Sequence, residues 1–69
     1  MRTARKKFLL YTNPNNVTNF AYVVTGAEVK EVLTSARSYP GSYKILYQGM
    51  GTESDIQTAQ RQFTGYRFV

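Results

Sequence analysis

Histidine and cysteine are both absent from this sequence of 69 residues. Their absence removes the commonest general base, the commonest metal ligand and the thiol nucleophile, and it excludes disulfide bonds. Acidic residues are few, and all lie in or near the first turns of two predicted helices, where the helix dipole accounts for them: Glu28, Glu31, Glu53 and Asp55. We therefore expect no enzyme, no metal site and no cofactor.

Long apolar runs are absent as well. The longest, residues 20–24, is far shorter than the ~20 residues that span a bilayer. The basic residues near the beginning of the chain are followed by too short an apolar stretch for a signal peptide. We expect no membrane partner, and the lack of cysteine fits a cytoplasmic protein.

Positive charge predominates, because nine lysines and arginines outnumber four acidic residues and give a net charge of +5. The first 27 residues contain no acid and begin with a basic cluster: Arg2, Arg5, Lys6 and Lys7. The apolar fraction of 42% is that of a folded chain. This length and composition predict one domain over residues 1–69, with residues 1–5 as a flexible basic lead that could contribute contacts through Arg2, Arg5 and Lys6.

A strand, a helix and a strand form the central unit of the chain, over residues 19–24, 26–38 and 42–48. Thr25 and Glu28 have the spacing of a capping box at the start of the helix. Apolar residues then recur at helical intervals, and a Pro-Gly pair ends the helix: Val29, Val32, Leu33, Ala36, Pro40 and Gly41. The two strands are parallel neighbours with a right-handed crossover, or another strand lies between them.

Shorter signals flank this unit. Strand one is predicted over residues 6–12, antiparallel to strand two, and a short strand over residues 66–69. A second helix is predicted over residues 55–63, with a capping box formed by Ser54 and Gln57. The element order is ββαβαβ. We predict a small α+β domain, with a four-stranded mixed sheet and two helices on one face.

The other face of that sheet would be open. Strict alternation along the strands gives it a mixture of cationic, apolar and tyrosine side chains: Lys7, Leu9, Tyr11, Lys44, Leu46 and Arg67. An apolar patch rimmed by cations favours a small binding module or modulator with a protein partner, either an acidic protein or a second copy in a homodimer. Edge-to-edge pairing through strand one or residues 66–69 is another route to a protein partner. The alternative is nucleic acid, because cations beside aromatic rings neutralise phosphates and stack bases.

Glycines between strand three and the second helix give a third, weaker hypothesis. A loop formed by Gly49, Gly51 and Thr52 would let backbone N–H groups approach an anion or nucleotide at the helix N-terminus. The third glycine of a dinucleotide fingerprint and the Gly-Lys-Ser/Thr of a P-loop are both missing. A tight turn explains the two glycines equally well.

Overall fold

The computed structural model describes residues 5–15 and 18–69. Its elements follow the order β1 (Lys6–Thr12), β2 (Phe20–Thr25), α1 (Ala27–Ser38), β3 (Lys44–Gly51), α2 (Glu53–Arg61) and β4 (Arg67–Phe68). The four strands form one mixed sheet, so the predicted α+β class, the ββαβαβ order and the two helices are confirmed. Residues 1–4, which include Arg2 and most of the basic lead, lie outside the described residues.

The strands lie in the order β3-β1-β2-β4. β1 is antiparallel to both of its neighbours, β2 and β3, and β4 pairs in parallel with β2. β2, β3 and β4 therefore all run in the same direction, and β1 is the strand that separates β2 from β3. The connection through α1 crosses the sheet in one direction, and the connection through α2 crosses it in the other. Two right-handed crossovers that travel in opposite directions place their helices on opposite faces of the sheet.

One face of the sheet, here called the α2 face, packs against α2. Phe8 and Leu10 of β1 are buried together with Ile56 and Ala59 of α2. Partly buried side chains from β2, β3, β4 and the segment after α2 complete this core: Val23, Leu46, Phe68 and Phe63. The Phe8 ring also stacks on Tyr47, with 5.6 Å between the ring centroids. All four strands contribute to this cluster.

The other face, here called the α1 face, packs against α1. Leu9 points away from Phe8 and Leu10 because successive side chains of a strand alternate, yet it is 0% exposed. Val29 of α1 is also buried, and α1 residues line a common groove with Lys7 and with β3. The prediction that both helices share one face, leaving the other open, is therefore wrong in this respect. Alternation assigned the faces of β1, but it could not tell that helices cover both of them.

The start of α1 differs from the predicted capping box. Thr25 belongs to β2, where it pairs with Phe8, and Gly26 is the N-cap with φ 63°. The Gly26 N–H donates to the carbonyl of Lys7 at 2.9 Å, which fixes the turn against β1. Glycine suits this position because a side chain disfavours the left-handed backbone region. Sheet pairing of Thr25 has replaced its predicted capping role.

The start of α2 also differs, by two residues. The capping box is formed by Thr52 and Asp55 rather than by Ser54 and Gln57, and the Thr52 N–H donates to the Asp55 carboxylate at 2.8 Å. Gly51, the last residue of β3, leaves room for this carboxylate, because a Cβ atom at that position would lie 2.7 Å from Asp55 Cγ. Strand and helix therefore meet without a loop between them.

Candidate groove and edge strand

The residues predicted to share an open sheet face are divided between the two faces. By register, Lys7, Leu9, Tyr11 and Arg67 lie on the α1 face, whereas Lys44 and Leu46 lie on the α2 face. Leu9 is fully buried, and Leu46 packs against the core of the α2 face. Lys7, Lys44 and Arg67 are exposed, but they do not form one surface.

A β-bulge in β3 causes this division. Leu10 of β1 pairs with Tyr47, and the next residue, Tyr11, pairs with Ile45, so Leu46 is the extra residue of β3. Leu46 and Tyr47 consequently both reach the α2 face, and the alternation of the residues before them is inverted. An unbroken period of two through strand three predicts Lys44 on the face of Lys7, whereas the bulge places it on the α2 face, opposite Thr12.

Three tyrosines gather on the α1 face. The Tyr11 ring lies 5.4 Å from the ring of Tyr22 and 5.6 Å from that of Tyr43, measured between centroids. Burial is the main reason that the pKa of Tyr11 is raised, and the negative charges of ionised Tyr43 and Tyr22 and of Glu28 raise it further. The rings are partly buried against one another. This packing leaves less ring surface for stacking bases than the predicted open face would.

The described part of the basic N-terminus contacts the β3–α2 junction. The Lys6 ammonium lies 3.5 Å from the Glu53 carboxylate, and Arg5 Nη2 lies 3.5 Å from the Met50 carbonyl oxygen. Both contacts are exposed, so they contribute little to stability. Of the predicted basic residues, Arg5 and Lys6 are thus placed beside the end of β3.

The residues of the predicted anion-binding loop do not form a loop. Gly49 and Gly51 are paired strand residues of β3, opposite Phe8 and Lys6 respectively. Thr52 is the helix N-cap, and its N–H already donates to the Asp55 carboxylate. A carboxylate at this helix terminus occupies the donor that a bound anion would use. The arrangement on which the hypothesis depended is not found.

A groove of about 730 Å³ lies between α1 and the β3 side of the sheet. Its apolar lining comes from Ala27, Val29 and Leu33 of α1 and from Met50 of β3, which is 57% exposed. Lys7 and Lys30 also line it, whereas none of the described lining residues is acidic. The groove therefore combines an accessible apolar surface with two positive charges.

The positive side of α1 faces this groove. Lys30, Leu33 and Arg37 are separated by three and four residues, so they share one side of the helix. Glu28 lies on another side, close enough to Tyr11 to raise its pKa. The sequence indicated Leu33 as a core residue and Lys30 as a solvent-facing one. Helical periodicity does not indicate which strand lies beneath a given side of the helix. The groove is therefore not predictable from the sequence.

β3 forms one edge of the sheet. Within residues 5–15 and 18–69, β1 is the only strand that pairs with it. It carries three of the large apolar side chains that are exposed: Ile45, Tyr47 and Met50. Of the two strands predicted as edges, β1 lies inside the sheet, whereas β4 is an edge strand of only two residues.

Neither a metal centre nor a membrane-spanning helix is found in the part of the chain that the structure describes. No group of three or more acidic, histidine or cysteine residues is placed to hold a metal ion there. Neither described helix is both long and apolar enough to cross a membrane. Comparisons with protein-family models, with curated proteins and with solved structures found no match to this chain. The groove and the β3 edge together form the candidate binding surface.

Proposed function

We propose that this protein is a non-catalytic binding module that recruits an acidic segment of a protein partner to the groove between α1 and β3. The observation that carries the proposal is the composition of the groove: Ala27, Leu33 and Met50 offer apolar contact, and Lys7 and Lys30 supply positive charge. Exposed apolar surface bordered by charge is typical of protein interfaces, where burial provides affinity and charge provides selectivity.

The lining chemistry favours binding over catalysis. Apart from the two lysines, its side chains are aliphatic, thioether or amide groups, so no acid and base pair faces the groove. We interpret the protein as a modulator or accessory factor that acts by occupying a partner, and its cysteine-free composition suits a cytoplasmic encounter.

Charge also favours a different protein over a second copy or a nucleic acid. Two copies that met at their grooves would bring four lysines together on a chain that is already at +5. For nucleic acid, the partly buried tyrosine cluster and the separated cations provide a weaker surface than the groove does. Both remain measurable outcomes of the tests.

Paired affinity captures from an extract of the native host test the proposal. The baits are the wild-type protein, a groove variant with Lys7→Glu and Lys30→Glu, and a matched variant with Arg61→Glu and Arg67→Glu, which changes the net charge equally at exposed sites outside the groove lining. We expect a protein that the wild type and the matched variant retain and the groove variant loses. Direct binding of that purified protein then has to reproduce the same order.

Equal retention by all three baits would refute the groove as the binding site. Titration with single- and double-stranded oligonucleotides at two salt concentrations addresses the competing ligand. Micromolar binding that weakens steeply with salt, together with loss of the protein partner in direct binding, would replace our proposal with nucleic-acid binding.

A further inference from the structure

The outer side of β3 has the properties of a strand acceptor. β3 is the longest strand, with eight residues, and Lys44 is its single charged side chain. Natural edge strands are usually protected by charges, prolines, bulges or a short length. β3 has its bulge at Leu46, and from Tyr47 to Gly51 its pairing with β1 is regular. This half of the strand has neither charge nor proline.

Backbone direction shows which groups an added strand would meet. The Gly26 N–H donates to the Lys7 carbonyl, so the backbone groups of Lys7 are directed towards β2. In an antiparallel ladder, the residue opposite such a position directs its own groups away from the pair. Met50 lies opposite Lys7 and Gln48 lies opposite Leu9, so both residues of β3 present N–H and C=O groups outward. The contact of Arg5 with the Met50 carbonyl oxygen is consistent with this direction.

The same two residues line the groove. The side chains of Gln48 and Met50 belong to the α1 face, because each pairs with a β1 residue of that face, and both border the groove with Leu33. A strand added to the outer side of β3 would therefore lie beside the groove. Alternate side chains of that strand would be directed towards Leu33 and Met50.

We propose that the partner binds as an extended acidic segment that adds to the outer edge of β3 and places apolar side chains in the groove. This inference rests on the proposed function and specifies its mode. Main-chain hydrogen bonds to Gln48 and Met50 provide affinity, and alternate side chains provide selectivity. Acidic residues of the segment are attracted by Lys7 and Lys30, and by Arg5 once the Met50 carbonyl accepts a bond from the new strand.

A synthetic peptide of about seven residues serves as the probe; its leucines and glutamates occupy every second position, so that both project from one face, and threonines fill the positions between them. It is long enough to pair with the regular half of β3. Binding is measured by fluorescence anisotropy, and the contacted residues are mapped by amide NMR shifts. We expect shifts concentrated over residues 47–51 and on Leu33. The matching leucine–lysine peptide is expected to bind at least tenfold more weakly, which corresponds to about 1.4 kcal/mol.

Gln48→Pro and Gln48→Ala form the decisive pair of variants. Both remove the glutamine side chain, but only proline removes the outward N–H, and an edge position tolerates proline where the N–H faces solvent. We expect Gln48→Pro to bind the acidic peptide at least tenfold more weakly than Gln48→Ala does. If Gln48→Pro fails to fold, two N-methylated forms of the acidic peptide provide the equivalent comparison on the wild type. One form is methylated at the odd residues and the other at the even residues, so only one of them loses the N–H groups that pair with β3.

The results separate this inference from the proposed function. Strand addition would be overturned if Gln48→Pro and Gln48→Ala bound the acidic peptide equally, or if the peptides N-methylated in the two registers bound the wild type equally. It would also be overturned if the acidic peptide did not bind the wild type, or if the leucine–lysine peptide bound it tightly. If Lys7→Glu with Lys30→Glu still abolished capture of the protein partner in that case, the groove function would stand without strand addition. If that double variant captured the partner normally, the proposed function itself would fail.

Discussion

Replacement of Leu9 by alanine distinguishes a sheet covered on both faces from a sheet with one open face. Leu9 is 0% exposed beneath α1, so Leu9→Ala removes buried methylene groups and leaves a cavity at a cost of about 2–5 kcal/mol. On an open face the same substitution would cost roughly 0.5 kcal/mol or less. A domain of this length typically has a total unfolding free energy of roughly 3–10 kcal/mol. We therefore expect Leu9→Ala to lose a large share of its stability.

Urea denaturation followed by far-UV circular dichroism measures this loss. At about 1 kcal/mol per molar urea, the lower slope for small domains, the midpoint should fall by about 2 M or more. Leu10→Ala is the matched control, because Leu10 is equally buried on the α2 face and should cost a similar amount. Leu9→Val removes one methylene and should cost about 1 kcal/mol, which keeps the comparison measurable if the alanine variant is unfolded. A small loss for Leu9→Ala beside a large loss for Leu10→Ala would refute the covering of the α1 face.

Two further predictions concern the tyrosine cluster and the strand–helix junction. Burial, and then the charge of Tyr43, raise the pKa of Tyr11 in the folded state. As pH rises, the unfolded chain therefore loses the Tyr11 proton before the folded chain does. The free energy of unfolding should fall as pH rises above 10.0, the ordinary pKa of tyrosine, and through the raised pKa. Urea midpoints between pH 9 and 11 should show this fall, and Tyr11→Phe should reduce it; an unchanged pH dependence would contradict the assignment. Gly51→Ala should lower the unfolding free energy by about 1 kcal/mol or more, because its Cβ would displace the Asp55 carboxylate from the helix N-cap. Thermal melts check this value, and a smaller loss for Gly51→Ala when Asp55 is already alanine would tie the effect to the cap.

The two helix termini show how local signals compete with sheet formation. Thr25 and Glu28 have the spacing of a capping box, but Thr25 is the last paired residue of β2, and Gly26 is the N-cap of α1. At α2 the acceptor of the cap is Asp55, whose partner Thr52 directly follows β3. A capping motif of four residues cannot indicate where the preceding strand ends. Strand ends depend on the length of the neighbouring strand, which is a tertiary property.

The candidate site likewise depends on tertiary structure that the sequence does not indicate. Lys7 is an exposed cation, and its neighbours in the groove come from α1 and β3, whose positions depend on strand order. The bulge at Leu46 then reversed the faces of the residues before it in β3. The sequence of one strand does not show where a β-bulge lies, because a residue is the extra one only in relation to the strand with which it pairs.

The number, type and order of the elements are predictable from the sequence, since periodicity and turn residues act over a few neighbouring positions. Its net positive charge and its lack of histidine and cysteine likewise follow from composition alone. Three features are visible only in the folded chain: β1 lies between β2 and β3, helices cover both faces of the sheet, and β3 forms an edge beside a lysine-lined groove. These features depend on pairing between distant segments, and the burial of Leu9 and Leu10 on opposite faces of one strand gives that pairing its apolar contacts.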